Sequence, residues 1–590
     1  MRDHEGIAGG GPGLLRLNIG VTAHRDLVDR DVPRMRAEVR SLLRKLQESF
    51  PDLPLQLICA LASGGDQLVA EEALALGIAL IVPLPMPQAD YEDDFEDAET
   101  LAQFRALLGR AQVRTLPMAP GNTLESVRVR GPSRNRQYAQ LGMFISSHCQ
   151  VLLALWDGNS SQATGGTAQV VEFHLHNTMP GFRIDEAAPN LLADDESDLI
   201  YHIDCPRRLE HAEEGPELAP GAAAPRWLTL NRTTAGNTPV PLHYRHVFAQ
   251  MEAFNRDVLR HAEAITREAQ SLLDPETLPG APPPRVREID ALFVAADWLA
   301  GHYRRQVRAG MLLTHTLAAG MGLAFILYSE VASERRYVAA FLLLFALAAL
   351  ARCIGERREW HRKYLDYRGL AEGLRVQLYW RLAAVEISPE SSLGYDSFLQ
   401  KQDVDLSWIR HAMRGSNLLR DDGFESDTGW LHWVIAHWVG TGGDAPGETG
   451  GQLRYFRAGV ARREHAYRTT TRLGELALAG GLLGALALLV LGPRLGDGWR
   501  TGLVMAMGLL PLVAGIREAL AYKNADKELI KQFRFMRRLF ESCRWRLDLA
   551  ADDDEARHLL RALGCACLEE HAEWILLHRE RPLEGGPLSA

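Results

Sequence analysis

Residues Met311 to Tyr328 read MLLTHTLAAGMGLAFILY, eighteen positions without a charge. A polar stretch, SEVASERR, follows, then YVAAFLLLFALAAL from Tyr337 to Leu350, with Arg352 just beyond. A helix rises about 1.5 Å per residue, so the first run covers about 27 Å, close to the hydrocarbon thickness of a bilayer. The second run is shorter. Taken to Ile354, it crosses if tilted or if Arg352 snorkels its head group to the interface. Two apolar runs on so short a turn predict a transmembrane helical hairpin, with spans at about 311–328 and 337–354.

The same plan returns downstream. YRTTTRLGE precedes LALAGGLLGALALLVLGP (Leu476 to Pro493), the turn RLGDGWR follows, and TGLVMAMGLLPLVAGI runs from Thr501 to Ile516. Each hairpin is followed by a long helical pattern. Trp360, Tyr364, Tyr367, Leu370, Leu374 and Leu378 form one stripe, and Leu520, Leu529, Phe533, Met536, Phe540 and Cys543 the other. Tyr379-Trp380-Arg381-Leu382 and Arg544-Trp545-Arg546-Leu547 fall at like points, which predicts a duplicated unit and four spans. Arginines crowd the outer flanks (Arg304, Arg305, Arg308, Arg357, Arg358, Arg462, Arg463, Arg468, Arg472, Arg517), while the connecting turns carry two each. By the positive-inside rule both hairpins enter and leave from the cytoplasm, so both termini and the soluble part are expected there, at a cytoplasmic (inner) membrane. No charged residue lies at mid-span, which argues against an ion-coupled transporter, and small residues such as Gly320, Gly322, Gly480, Gly481 and Gly484 favour close helix packing.

The bulk composition agrees with a mostly water-facing chain that carries a membrane part. Of 590 residues 47% are hydrophobic, and the formal charge of −10 excludes a general nucleic-acid binder. Seven cysteines without paired spacing read as reduced thiols, and MRDHEGIAGGGPG lacks the apolar core of a secretory signal. No cluster has metal-ligand spacing: His202 with Cys205, His432 with His437, and Cys565 with Cys567 and His571 all read as packing residues.

Upstream, strands alternate with helices. LLRLNIGV from Leu14 ends in GVTAHR; LQLICALA from Leu55 ends in SGGDQ; IALIVPLP starts at Ile78; CQVLLALWDG (Cys149 to Gly158) leads to TGGT and a helix. This pace predicts an α/β doubly wound parallel sheet of Rossmann-like type. Ligands of such sheets lie beyond the carboxyl ends of the strands, where glycines admit a phosphate and helix N-termini offer N–H groups. The candidate ligand-binding residues are therefore Gly20, Thr22, His24 and Arg25 after the first strand, Ser63, Gly64, Gly65 and Asp66 after the second, and Asp157, Gly158, Gly165, Gly166 and Thr167 after the strand at 149–158. Arg134 and Arg136, before the helix QYAQLGMFISS, add positive charge. Arg25 suits bidentate phosphate binding, and Asp66 or Asp157 suits ribose hydroxyls. A nucleotide-derived ligand is expected, with no other cofactor and no metal. The boundaries expected are 14–285 for this domain with a helical extension, 286–385 and 456–550 for the two hairpin units, 386–455 for a connector, and 551–590 for C-terminal helices.

Two resemblances follow from these motifs. GVTAHR, ALASGGDQLVAEEALALG, IVPLP, Tyr91 with Asp94-Phe95, and LLALWDG with GGT resemble, over about 14–205, the SLOG family, whose Rossmann-like fold is related to DNA-processing proteins and to the LOG nucleotide phosphoribohydrolases. The resemblance implies binding of a nucleotide or nucleotide-derived signal. The LOG signature PGGxGTxxE is altered here to Thr164-Gly165-Gly166-Thr167 with Glu172 five residues on. Glu172 thus reads either as a general acid, with Arg134 in the site of a membrane-anchored nucleotide or N-glycoside hydrolase, or as a solvated surface residue. The hairpin with its arginine-rich exit, His361-Arg362-Lys363-Tyr364 and a long Arg/Glu/Trp helix resembles the SLATT family of two-span bacterial effectors. That resemblance implies a homo-oligomeric, nucleotide-gated effector of conflict or antiphage signalling, acting on the bilayer by pore formation or disruption.

Overall fold

The computed structural model describes residues 13–161, 164–176, 179, 182, 199–206, 224–230, 232–385, 406–416, 428–441, 450–491, 494–523 and 525–580. Most of the connector at 386–405, 417–427 and 442–449, and the end of the third span at 492–493, lie outside the described residues.

An N-terminal mixed sheet layered with helices precedes a mostly helical part. The strands are β1 (Leu17–Ala23), β2 (Leu55–Ile58), β3 (Ala79–Leu84), β4 (Gln112–Thr115), β5 (Val151–Trp156), β6 (Ile200–Asp204), β7 (Arg226–Thr229) and β8 (Arg232–Ala235). Their order is β4-β3-β2-β1-β5-β6-β7-β8, parallel from β4 through β6, with β7 and β8 antiparallel. The Val/Ile/Leu-rich runs become the central strands because parallel strands bury both faces. β1, β2 and β5 are buried almost throughout. The short β4 and the β7–β8 hairpin at the sheet edges are additions to the strands legible from pattern.

The helices of this domain are α1 (Val32–Ser49), α2 (Gly65–Ala75), α3 (Gln88–Glu92), α4 (Ala98–Leu108), α5 (Leu124–Arg128), α6 (Pro132–His148) and α7 (Thr167–His176), then α8 (Leu242–Arg260) and α9 (Ala262–Glu268). α1 lays Met35, Val39, Leu42, Leu43 and Leu46 on the sheet at helical spacing.

The second part begins with α10 (Pro284–Glu330), one unbroken helix of 47 residues and about 70 Å. Its first half buries Val286, Ile289, Phe293 and Leu299 in the soluble core, and its second half is the first span. Gly13 allows the N-terminal segment to lie against the backbone of Ala291 and Leu292, which ties this helix to the sheet domain. α11 (Arg335–Arg357) and α12 (Trp360–Leu382) follow, then α13 (Ser407–Ser416), α14 (Thr428–Val434), α15 (Gly451–Leu491), α16 (Asp497–Lys523), α17 (Asp526–Leu549) and α18 (Asp553–Glu580).

Both units are built alike. In each, a long helix enters the span, a second span returns, and one residue in the left-handed region breaks the chain before a further long helix. The breaks are Glu359 (φ 51°) between α11 and α12, and Ala525 (φ 50°) between α16 and α17. Four helices are long and apolar enough to cross a membrane, and the most apolar stretch of each is almost wholly unburied by the rest of the protein. Helices this apolar and this exposed are not the core of a water-soluble bundle. α10 and α16 touch through small residues: Gly322 lies under Leu512, and a Cβ on Gly508 would meet Ile326 Cδ1 at 3.0 Å. Pro511 of α16 packs on Gly481 of α15.

The three tryptophans at 430–438 pack a core. Trp438 stacks on Tyr379 at 5.3 Å, and Trp430, Trp433 and Trp438 are all buried. α18 packs back on α12, with Ile575 against Gly369 and Trp380 against Gly564.

Candidate functional site

The strand order sets the site. From β1 the chain winds outward through β2, β3 and β4, then returns to the other side of β1 as β5. The topological switch point is therefore the crevice between the carboxyl ends of β1 and β5. Three loops meet there.

The loop after β1 is held by backbone and side chain. His24 N donates to Leu155 O at 3.0 Å, and His24 Nε2 accepts from Asp157 N at 3.1 Å and lies 3.2 Å from Asp157 Oδ1. This clasp ties the two strand ends across the switch point. Burial works to raise the Asp157 carboxyl, but the Asn159 backbone and side chain and His24 outweigh it and hold the group below its ordinary value. It stays an acceptor, partly open to solvent.

The loop after β2 presses on the same residues. Gly65 N donates to His24 O at 3.1 Å, and a Cβ on Gly65 would run into that of Ala23. Gly64 has φ 82° and ψ −117°, a conformation open only to glycine, and a Cβ there would strike the Arg25 carbonyl. These two glycines bring the N-terminus of α2 against the end of β1. Asp66 points inward: it is buried, accepts from Ala62 N at 3.2 Å, and burial pushes its carboxyl up to about 7 against the Ala62 N–H and Arg25. It braces its own loop. Ser63 is partly exposed beside it.

The third loop is Gly165-Gly166-Thr167 at the start of α7. Thr167 Oγ1 donates to Ala23 O at 3.0 Å, and Gly165 N donates to Gln169 Oε1 at 2.9 Å. Gly165 (φ 79°) sits on α6 so closely that a Cβ would meet Ala139 N at 2.7 Å and Tyr138 Cβ at 2.8 Å. Gly158 (φ 79°) turns the chain after Asp157 in open space.

His24, Arg25, Gly64, Gly65, Asp157, Gly165, Gly166 and Thr167 are thus brought to one crevice, with the N-termini of α2 and α7 directed at the end of β1. Arg25 is exposed, its guanidinium 5.7 Å from the centre of the Tyr138 ring. The Tyr138 hydroxyl is buried and has no hydrogen-bond partner among the described residues. Tyr91, 6.3 Å from Tyr138, donates to Ala60 O and backs this wall. Sequence reasoning missed Tyr138; its only signal was its place one helical turn after Arg134.

Other candidates lie elsewhere. Gly20 serves packing, since a Cβ would meet Cys149 Sγ and Ile145 Cγ2 at 2.8 Å, and Thr22, near the end of β1, is buried in register with Ala154 of β5. Arg134 is buried, with Nη1 on Val127 O (2.6 Å) and Nη2 on Asp90 O (2.7 Å), and an ion pair to Asp94 at 3.0 Å. It lies in the first turn of α6, not before the helix, and ties that turn to α3 and α5. Arg136 lies over the Phe182 ring at 5.1 Å, and Glu172 is on the exposed side of α7.

At the opposite end of the same two strands, a buried polar chain leads away. Asn18 N of β1 donates to Gln150 Oε1 (2.7 Å) just before β5, and Gln150 Nε2 donates to His411 O of α13 (3.0 Å). Gln377 Nε2 of α12 donates to Met413 O (3.0 Å), and Ser416 Oγ donates to Gln377 Oε1 (3.2 Å). α13 is thereby clamped between the sheet and the helix that continues from the second span. Neither protein-family models nor curated protein sequences match this chain.

Proposed function

We propose that the chain is a membrane effector gated by a nucleotide-derived ligand. The ligand's phosphates would lie at the N-termini of α2 and α7 with Arg25 as counter-cation, its ring would face Tyr138, and Asp157 would accept from a ribose hydroxyl. The observation that carries the reading is that one pair of strands, β1 and β5, bears this crevice at one end and the Asn18–Gln150–α13–α12 chain at the other. Closing the crevice moves the strand ends, and a hydrogen-bonded buried chain cannot stretch without losing bonds, each worth about 1 kcal/mol. α12 and α10 would pass that movement to the spans. The resemblance to the SLOG and SLATT families supports the same division of labour, in a conflict or antiphage system, with the sheet domain and both termini cytoplasmic and several copies assembling. A ligand acts this way only through different affinity for the two states.

The test is a thermal-shift screen of the full-length protein in detergent against mononucleotides, cyclic nucleotides and ADP-ribose derivatives, followed by dye leakage from liposomes. Leakage on adding a ligand that binds, lost in Arg25→Ala, is the expected result. A ligand that binds tightly yet releases no dye and depolarises no cells sinks the effector reading.

A further inference from the structure

α17 carries two faces at the same spacing. Leu529, Phe533, Met536, Phe540, Cys543 and Leu547 recur at intervals of four and three and turn toward the protein, Phe540 packing on Phe456 of α15. Two residues on, Lys531, Phe535, Arg538, Ser542, Trp545 and Leu549 recur at the same intervals, and all six are exposed. Phe535 is 49% exposed, Trp545 63% and Leu549 63%, on a helix that follows the apolar run at 501–516. Intervals of four and three are the seam spacing by which one helix receives another.

The charge on this seam selects the occupant. Among the described residues Lys531, Arg538 and Arg546 make no ion pair, so the outer face presents uncompensated cations between large apolar side chains. The flanks are mixed: Arg534 with Glu541 and Asp548 on one side, Arg546 on the other. A second copy meeting this seam with its own α17 is a poor fit. α17 runs antiparallel to α15, with Arg534 paired to Glu464 and Arg457 to Glu541, and α15 continues into a span as one helix. Copies rotated about the normal of one bilayer therefore present their α17 helices parallel, and parallel pairing sets Lys531 on Lys531 and Arg538 on Arg538. Glu541 and Asp548 on one flank are already paired, with Arg457 and Arg544, so the unpaired charge along the seam is positive.

We propose that the outer seam of α17 is the docking surface for an acidic amphipathic helix of a second protein, which inserts apolar residues between Phe535, Trp545 and Leu549 and sets carboxylates against Lys531 and Arg538. The assignment is independent of the ligand crevice and of the effector reading.

The test uses the full-length chain in detergent and two fluorescent synthetic helices with one shared leucine seam, one flanked by glutamates and the other by lysines. Fluorescence anisotropy should show the acidic helix binding at least tenfold more tightly than the basic one. Trp545→Ser should weaken it about tenfold, and the double change Lys531→Glu and Arg538→Glu should reverse the preference. These residues are exposed, so thermal melts should match the parent's. Equal binding of the two helices, no binding of either, tighter binding of a single-stranded RNA, or copy-to-copy disulfides in Ser542→Cys would each overturn the assignment.

Discussion

Replacing Asp66 by asparagine tests the construction of the crevice between β1 and β5 directly. The carboxyl is buried in the first turn of α2, its oxygen receives one backbone N–H at 3.2 Å, and burial raises it from 3.8 to about 7. The folded state therefore keeps this proton up to about pH 7, whereas the unfolded chain releases it near 3.8. Between those values the folded state binds more protons, so the group's contribution is fully present below about pH 4 and is lost as pH rises to about 7. A shift of about three units at 1.36 kcal/mol each is about 4 kcal/mol. Asparagine cannot ionise but keeps an oxygen for Ala62 N, so it escapes this penalty at a cost of about 1 kcal/mol for the weaker hydrogen bond. Above about pH 7 Asp66→Asn should thus be the more stable protein by about 3 kcal/mol, several degrees in melting temperature. Near pH 4 the two should coincide or the parent should lead slightly. Thermal melts of the full chain at one scan rate across this range, taken as variant minus parent, cancel the other titrating groups. A difference that does not change with pH, or one that favours the parent above pH 7, would refute the buried, inward placement of Asp66.

Four further outcomes follow from the geometry. Gly64→Ala places a Cβ against the Arg25 carbonyl at a positive φ and should cost roughly 2 kcal/mol or more, abolishing ligand-induced thermal shifts, whereas Gly158→Ala, in open space, should cost only the strain of its φ, about 1 kcal/mol. Lys363→Met removes the cation 2.6 Å from Asp257, which is buried and also receives the Tyr367 hydroxyl; left with only the longer ion pair to Arg260 at 3.6 Å, the carboxylate should lower stability by about 3 kcal/mol in melts. Gly322→Val crowds Leu512 and should loosen α10 from α16 by about 1–3 kcal/mol, seen as earlier unfolding in detergent titrations. Trp499→Cys, exposed in the first turn of α16, should react with an impermeant maleimide from outside intact cells if the proposed orientation holds; labelling only after lysis would reverse it.

What could be read from residue order was whatever depends on local periodicity. Apolar runs of membrane length, their repetition, and strands buried on both faces stand out because each needs an unbroken apolar run. The glycines at 64, 65 and 165 stood out because they close strand ends, and a ligand loop was the expectation drawn from them. The structure adds that each is also forced by a neighbour: Arg25, Ala23 or Tyr138. Arg134 illustrates the limit. A cation before a helix suggests an anion site, but its direction depends on where Val127, Asp90 and Asp94 are placed, and they bury it against α3 and α5. Tyr138, β4 and the β7–β8 hairpin were invisible because short edge strands and a helix's inward face are set by packing.

The sequence by itself determined the four apolar helices, the α/β alternation and the glycine-rich strand ends, since each follows from covalent spacing and the transfer of apolar groups from water. Only the tertiary structure decided that β5 returns beside β1 to make a crevice, that Asn18 and Gln150 join those strands to α13, and that one face of α17 is left bare. Those outcomes depend on which distant surfaces meet, and contacts between residues more than a hundred positions apart leave no period in the chain.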